Sequence, residues 1–289
     1  MHPTLFFDFI HSYGLMLAVG FYAGWWLAAR RAKAAGIHPD VIGNIVLISI
    51  LAGVVGARLL WFALHREPGE PIWVLIEVWK GGLVFYGGLI AAVLADYVYL
   101  KKKGLPVWEV ADILAPAVAL GQAFGRLGCF LNGCCYGGMC STGFPLGVRF
   151  PAFFGESGAP VGSPPFRDHI ERYETYKALP EKLYQELVTA RASLPVHPTQ
   201  LYEAIALFFI AAWLIAATPH KRRHGEIFAL LCILNAVSRF GAELARRDTV
   251  PVLFGLNPGQ LGAIGVLAFG LAVLVWARLR GTEATAPTV

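Results

Sequence analysis

Charged residues are scarce in this chain, since Asp, Glu, Lys and Arg make up only 15% of its 289 residues. A soluble globular protein carries about a quarter charged residues. Hydrophobic residues make up 56%, the mean hydropathy is +0.57, and the apolar residues occur in long blocks. This composition excludes an ordinary soluble domain and indicates a polytopic membrane protein.

The N-terminus lacks the features of a removable signal peptide. No lysine or arginine occurs between Met1 and Asp8, and no small-residue cleavage site follows the first apolar run. We therefore expect the first helix to remain in the mature protein. A basic stripe with interleaved aromatic residues is also missing, because the net charge of +5 comes from short clusters between apolar blocks. Nucleic acid is therefore not an expected partner.

Seven apolar segments are each close to the roughly 20 residues that a helix needs to cross the hydrocarbon core of a bilayer. They run approximately over residues 12–30, 42–64, 83–100, 107–132, 199–217, 226–246 and 258–278. The pattern predicts an all-α fold with seven transmembrane helices in a single membrane domain over residues 1–289. The fourth segment gathers glycine and polar residues toward its end, so a broken or re-entrant helix is the alternative there.

Short basic clusters follow the first, third, fifth and seventh segments. They are Arg30–Lys33, Lys101–Lys103, Lys221–Arg223 and Arg278–Arg280. Since basic loops stay in the cytoplasm, the N-terminus is predicted to lie outside and the C-terminus inside. The connection 133–197 is then an external head or lid between the fourth and fifth helices, with amphipathic helices between Asp168 and Leu194. A solvated lid without a site of its own is the alternative.

Charge is costly within a membrane span and marks functional paths, and five of the ionisable residues in or at the outer ends of the predicted spans are candidates for such a path. They are Arg58, Arg126, Arg239, Glu243 and Arg246. A guanidinium holds phosphate through paired hydrogen bonds, so converging arginines predict an outward-facing cavity for an anionic, phosphate-bearing amphiphile. The alternative for a single arginine is that it extends to the interface. Transporter and enzyme are equally compatible with these residues.

The segment Gly125–Gly137, with the sequence GRLGCFLNGCCYG, resembles the signature of the prolipoprotein diacylglyceryl transferases, which is close to G-R-x-G-N-F-x-N-G-E-x-x-G. Further motifs of that family are resembled in the same order along the chain. They are Ser12–Met16, Gly56–Arg58, Trp79–Gly88, His197–Glu203, Ser238–Glu243 and Asn257–Gln260. The resemblance thus covers nearly the whole chain.

The resemblance implies an enzyme of lipoprotein biosynthesis in the bacterial inner membrane, with a periplasmic N-terminus and no cofactor. It would move the sn-1,2-diacylglyceryl group of phosphatidylglycerol to the lipobox cysteine of a prolipoprotein signal peptide and release glycerol-1-phosphate. Arg126 and Arg239 would hold the phosphate and stabilise the leaving group, while Glu243 would orient Arg239. The residues expected to bind substrate are Tyr13, Arg58, Asn132, Gly87, Gly88, Gly137 and Arg246.

The chain departs from the family pattern at three positions. Tyr86 stands where the family has a histidine that is a candidate base, and Cys129 and Cys134 replace an asparagine and a glutamate. Tyrosine titrates near 10 and is a poor base at neutral pH unless arginines lower its pKa. Either Tyr86 substitutes for the histidine, or the arginine field favours the thiolate without a base, or the reaction has changed. We expect retained transferase chemistry, because the arginines are present.

Two other functions stay open. The first is a phospholipid-binding protein on the same scaffold, which is non-catalytic or uses another acceptor. The second is a membrane thiol oxidoreductase that uses a cluster of four cysteines, Cys129, Cys134, Cys135 and Cys140. Thiols outside the cytoplasm oxidise, so a structural disulfide is expected among these four, with its pairing open. Metal binding is not expected, because histidines at finger-like spacing are absent.

Overall fold

The computed structural model describes residues 4–5, 10–66, 71–78, 81–141, 143–152, 163–174, 180–246 and 252–280. Trp79, which begins one of the resembled motifs, lies outside these ranges. The described chain forms helices α1 (Ser12–Ala34), α2 (Pro39–His65), α3 (Phe85–Lys102), α4 (Val107–Asn132), α5 (Pro164–Glu174), α6 (Glu181–Ala190), α7 (Thr199–Ala217), α8 (Glu226–Leu244) and α9 (Pro258–Arg280). Two short strands, β1 (Thr4–Leu5) and β2 (Ile10–His11), pair antiparallel before α1.

Helices occupy all seven predicted membrane segments, and the chain is a largely helical, polytopic membrane protein. Within the described ranges, five helices are long and apolar enough to cross a bilayer: α2, α4, α7 with its 3₁₀ extension to His220, α8 and α9. Tyrosine, tryptophan and glycine lower the hydropathy of α1, and Asp96, Lys101 and Lys102 lower that of α3. The count of seven spans therefore stays a prediction.

The chain divides into two compact units, so the single membrane domain also stays a prediction. Of the described residues, unit 1 comprises those within 1–24 and 115–285, and unit 2 comprises those within 25–114. The boundaries fall inside α1 and α4, so each of these helices contributes one end to each unit.

In unit 2, glycines allow α2 and α3 to pack closely. A Cβ atom on Gly56 would lie 2.5 Å from the carbonyl oxygen of Gly87, and one on Gly88 would lie 2.8 Å from that of Gly53. Real Cβ atoms do not approach this closely. Gly87 and Gly88, the two glycines of α3 that were predicted to bind substrate, therefore also pack against α2. Close backbone approach through small residues is a common way for helices to associate in membranes.

In unit 1, the core lies between α4, α7 and α8. Ala115, Ala119 and Ala123 form a small-residue stripe on α4 that meets Leu207, Leu214 and other apolar residues of the two partner helices. The connection between α4 and α7 carries the two amphipathic helices α5 and α6, which pack through a separate cluster of Phe166, Ile170, Leu187 and Leu194. Pro180 precedes α6 as its N-cap, which explains why the helical pattern is interrupted there.

Candidate functional site

Five charged side chains form a continuous series of ion pairs in unit 1. Arg126, at the end of α4, donates from Nε to Oε2 of Glu203 on α7 at 2.7 Å. Arg239 on α8 donates to the other oxygen of Glu203 at 2.8 Å, and it also pairs with Oε1 of Glu243. Arg246, just after α8, donates to the same Glu243 oxygen at 3.2 Å. We call these five residues the arginine–glutamate chain.

The arginine–glutamate chain contains three cations and two anions, so it has a net charge of +1. Both carboxylates are buried, whereas the side chains of Arg126 and Arg239 remain 23% and 27% exposed. Each carboxylate bridges two guanidiniums and fixes their positions. The free faces of two fixed guanidiniums are suited to bind an anion with several oxygens, such as a phosphate diester.

Glu203 was not among the predicted site residues, although the resembled motif His197–Glu203 contains it. Its signal was available in the sequence, because it is a carboxylate inside an apolar segment, where an ionisable residue needs a partner. The structure shows that it contacts both arginines predicted to hold the phosphate. We therefore add Glu203 to the candidate site.

The beginning of α9 lies directly against Glu243. A Cβ atom on Gly259 would lie 2.5 Å from the carboxyl carbon of Glu243, so only glycine allows this approach. The helix start is fixed by a reciprocal pair: the backbone N–H of Gln260 donates to Asn257 Oδ1 at 2.8 Å, and that of Asn257 donates to Gln260 Oε1 at 3.0 Å. The positive end of the helix dipole thus faces Glu243.

A loop of residues 133–138, here called the cysteine loop, follows α4 and is held by the start of α7. Gln200 Nε2 donates to the Cys134 carbonyl at 2.7 Å, and Thr199 Oγ1 donates to that of Cys135 at 2.8 Å. Gly137 donates its N–H to the His197 carbonyl at 2.8 Å. A Cβ on Gly137 would lie 2.8 Å from the His197 Cβ. This gives Gly137 a positioning role for the loop.

The side chains of Cys129, Cys134 and Cys135 meet next to the arginine–glutamate chain, and we call them the thiol cluster. Their Sγ atoms all lie within 4.8 Å of one another. Hydrogen bonds from the Cys129 and Cys134 thiols lower the pKa of Cys135, and the charges of Arg246 and Arg126 lower it further. All five cysteines of the chain are free thiols, and Cys140 does not belong to the cluster. The disulfide predicted among Cys129, Cys134, Cys135 and Cys140 is not formed in this structure and stays a prediction.

Tyr13 and Asn132, both predicted to bind substrate, lie beside the thiol cluster. The Tyr13 ring packs against the last turns of α4 at Gly128. A Cβ atom on Gly128 would lie 3.1 Å from the Cδ2 atom of the ring. Its hydroxyl interacts electrostatically with the three cysteines and with Arg126. The Asn132 side chain hydrogen-bonds the Cys134 thiol. The structure thus brings Tyr13, Asn132 and the arginines together within unit 1.

Arg58 and Tyr86 belong to unit 2. The Arg58 side chain is 3% exposed, and its guanidinium donates to the Val74 carbonyl at 2.5 Å and to the Gly81 and Gly82 carbonyls at 2.5 and 3.1 Å. It therefore fixes the backbone of its own unit instead of extending to an interface. Tyr86 lies in the first turn of α3 and is 54% exposed.

The sequence is similar to proteins of one known family. The profile described as Prolipoprotein diacylglyceryl transferase matches residues 4–276. Three curated proteins named phosphatidylglycerol--prolipoprotein diacylglyceryl transferase are similar over most of both chains. That of Xylella fastidiosa is 33% identical over 94% of this chain and 89% of its own. That of Chromohalobacter salexigens is 31% identical over 93% and 88%, and that of Clostridium tetani is 30% identical over 97% and 99%.

Proposed function

The chain belongs to the prolipoprotein diacylglyceryl transferase family, and we propose that it transfers the sn-1,2-diacylglyceryl group of phosphatidylglycerol to the lipobox cysteine of a prolipoprotein. Glycerol-1-phosphate is the second product. The single observation that carries this proposal is the arginine–glutamate chain, because fixed guanidiniums can bind the phosphate diester of the lipid and stabilise the glycerol phosphate that leaves.

The arginine–glutamate chain fits the phosphate of the lipid. A guanidinium has five N–H donors. Within the described residues, Arg126 uses its Nε on Glu203, which leaves its terminal nitrogens to face the lipid. Arg239 is fixed on two sides by Glu203 and Glu243. The two guanidiniums therefore enter the reaction already oriented, which is the condition for stabilising charge that develops in the transition state.

The reaction is a displacement at the glyceryl carbon that carries the phosphate. The acceptor thiolate attacks this carbon, a C–S bond forms, and the C–O bond to phosphate breaks with its electron pair on the phosphate oxygen. Arg126 and Arg239 stabilise the second negative charge that appears on the departing phosphate. Arg246 supports Glu243, and Tyr13 and Asn132 position oxygens of the glyceryl group. That Tyr86 takes the thiol proton stays a prediction from the sequence.

The membrane arrangement is part of the proposal. Seven helices (α1 to α4 and α7 to α9) cross the inner membrane, and residues 133–197 form a periplasmic head. The basic clusters at the ends of α1, α3 and α9 support a cytoplasmic position for those ends. In this topology the C-terminal ends of α4 and α8, which carry the arginines of the arginine–glutamate chain, lie on the periplasmic side. A translocated prolipoprotein and the outer leaflet are accessible from that side.

The test supplies phosphatidylglycerol, labelled in its non-acylated glycerol, and a lipobox peptide to the purified protein. The expected result is a peptide heavier by one diacylglyceryl group and an equal amount of released glycerol phosphate. Lipid binding without either product would favour the binding protein instead. A peptide disulfide or a change in thiol count without lipid transfer would favour the oxidoreductase.

A further inference from the structure

We propose that the thiol cluster holds one thiophilic metal ion of the Zn²⁺ class, and that the fourth coordination position of this ion takes the lipobox cysteine and presents it as a thiolate. This inference deepens the proposed function and rests on it. The reaction needs a thiolate nucleophile, and an unperturbed thiol is mostly protonated at neutral pH.

The geometry of the thiol cluster suits such an ion. Zn–S bonds are about 2.3 Å long, so thiolates that share a zinc ion lie about 3.8–4.0 Å apart. The three Sγ atoms lie within 4.8 Å of one another, which is close to this separation. Cys129 is on the last turn of α4, and Cys134 and Cys135 follow on the cysteine loop.

The backbone holds the three thiols in place without the ion. The Cys134 N–H donates to the Cys129 carbonyl at 3.1 Å. Gln200 and Thr199 fix the carbonyls of Cys134 and Cys135 at 2.7 and 2.8 Å. Cys135 has a φ of 60°, a left-handed conformation that a non-glycine residue adopts only when its surroundings impose it. These contacts hold the backbone that carries the three thiols before any ion binds.

Three protein ligands and one open position are the arrangement of catalytic zinc sites, whereas structural zinc sites use four protein ligands. A thiol that enters the open position is deprotonated by the metal, and its proton passes to solvent. The metal-bound sulfur then attacks the glyceryl carbon, and the electron pair of the broken C–O bond leaves with the phosphate. The product is a neutral thioether, which binds zinc weakly and gives way to water.

The electrostatics of unit 1 favour the occupied state. Three thiolates and Zn²⁺ carry a net charge of −1, and the arginine–glutamate chain beside them carries +1. Arg126 is three residues before Cys129 on α4, hence on the same face of the helix. A thiolate held at the cluster therefore lies next to the guanidinium that is proposed to bind the phosphate of the lipid.

The test uses the purified full chain, with zinc measured by elemental analysis and transfer measured in the labelled-lipid assay. We expect about one zinc per chain, three sulfur ligands in X-ray absorption spectra, and a thiolate-to-metal absorption band when Cd²⁺ replaces Zn²⁺. Chelation should remove the metal and abolish transfer, and added Zn²⁺ should restore it. Cys129→Ser and Cys135→Ser should lose both zinc and transfer.

Cys140→Ser and Cys232→Ser are the matched controls, since they remove thiols outside the cluster and should keep both zinc and transfer. Phosphatidylglycerol binding by each cluster variant shows that it is folded. Transfer that is unaffected by chelation and by both cluster variants would overturn the metal site while the proposed function stands. A disulfide between cluster cysteines in the active enzyme would also overturn it. Zinc bound without any transfer would contradict the activating role and the proposed function together.

Discussion

Glu203 connects the two arginines that are proposed to hold the phosphate, and its replacement by glutamine is the sharpest test of the site. The substitution keeps the size of the side chain and removes its charge. In the structure the carboxylate accepts from Arg126 at 2.7 Å and from Arg239 at 2.8 Å, and the residue is 6% exposed. The change therefore acts on two contacts in a buried position.

A hydrogen bond to a charged group contributes about 1.5–3 kcal/mol. Glutamine retains one acceptor oxygen, so the expected loss is about one such bond and not two. A loss of about 2 kcal/mol in transition-state stabilisation corresponds to a turnover about 30-fold lower. The net charge of the group rises from +1 to +2 at the same time, so phosphatidylglycerol binding should persist.

The assay compares kcat and lipid affinity for Glu203→Gln, Glu203→Asp and the control Glu186→Gln. Glu186 pairs with Arg149 on the surface of the head, where such a pair contributes about 1 kcal/mol or less. Its variant should therefore keep full activity. Glu203→Asp keeps the charge but shortens its reach, and an intermediate rate is expected. An unchanged kcat in Glu203→Gln would refute the idea that this carboxylate orients the arginines.

Two further predictions concern stability. Gly259→Ala places a Cβ atom about where the Glu243 carboxyl group lies, so we expect a lower thermal unfolding temperature and reduced transfer. Gly265→Ala on the same helix enters open space and should be neutral; equal behaviour of the two variants would contradict the packing argument. Burial lowers the pKa of His169 in the head to about 4, from an ordinary value near 6.5. Because the folded state binds this proton less readily than the unfolded chain, the free energy of unfolding is higher above pH 6.5 than near pH 4. It falls by about 3 kcal/mol as the pH falls between these values. Thermal unfolding followed between these pH values should show this loss in the wild type and a smaller one in His169→Asn.

Much of the architecture was predictable because hydrophobic length is a direct physical requirement. Helices occupy each of the seven apolar segments, and amphipathic spacing with Pro180 indicated α5 and α6. The convergence of Arg126, Arg239 and Arg246 was predicted from the cost of charge in apolar segments. The seven-span count and the membrane orientation depend on hydropathy and loop charge, and they remain predictions.

The connections within the site were not predictable from spacing alone. Glu203 is far from Arg126 in sequence, and only the packing of α7 against α4 brings them together. A disulfide was predicted among Cys129, Cys134, Cys135 and Cys140 with its pairing open, and it stays a prediction; that three of these sulfur atoms meet was not predictable, because sequence proximity does not reveal their directions. The geometry of the thiol cluster depends on contacts of Thr199 and Gln200 with a loop more than sixty residues earlier.

The roles of Gly87 and Gly88 were also not predictable in full from the sequence. Gly87 and Gly88 were predicted to bind substrate; the structure adds a packing role against α2, and substrate binding stays a prediction. A glycine motif in sequence does not distinguish close approach by a ligand from close approach by another helix.

The most direct test of the central claim is transfer by Arg239→Ala. Arg239 contacts both carboxylates of the arginine–glutamate chain, so its loss removes one phosphate contact and leaves each carboxylate with a single arginine partner. The wild type is expected to yield one released glycerol phosphate for each diacylglyceryl peptide, and the variant is expected to yield neither product. Transfer by Arg239→Ala at the wild-type rate would contradict the proposal that these arginines hold and release the phosphate.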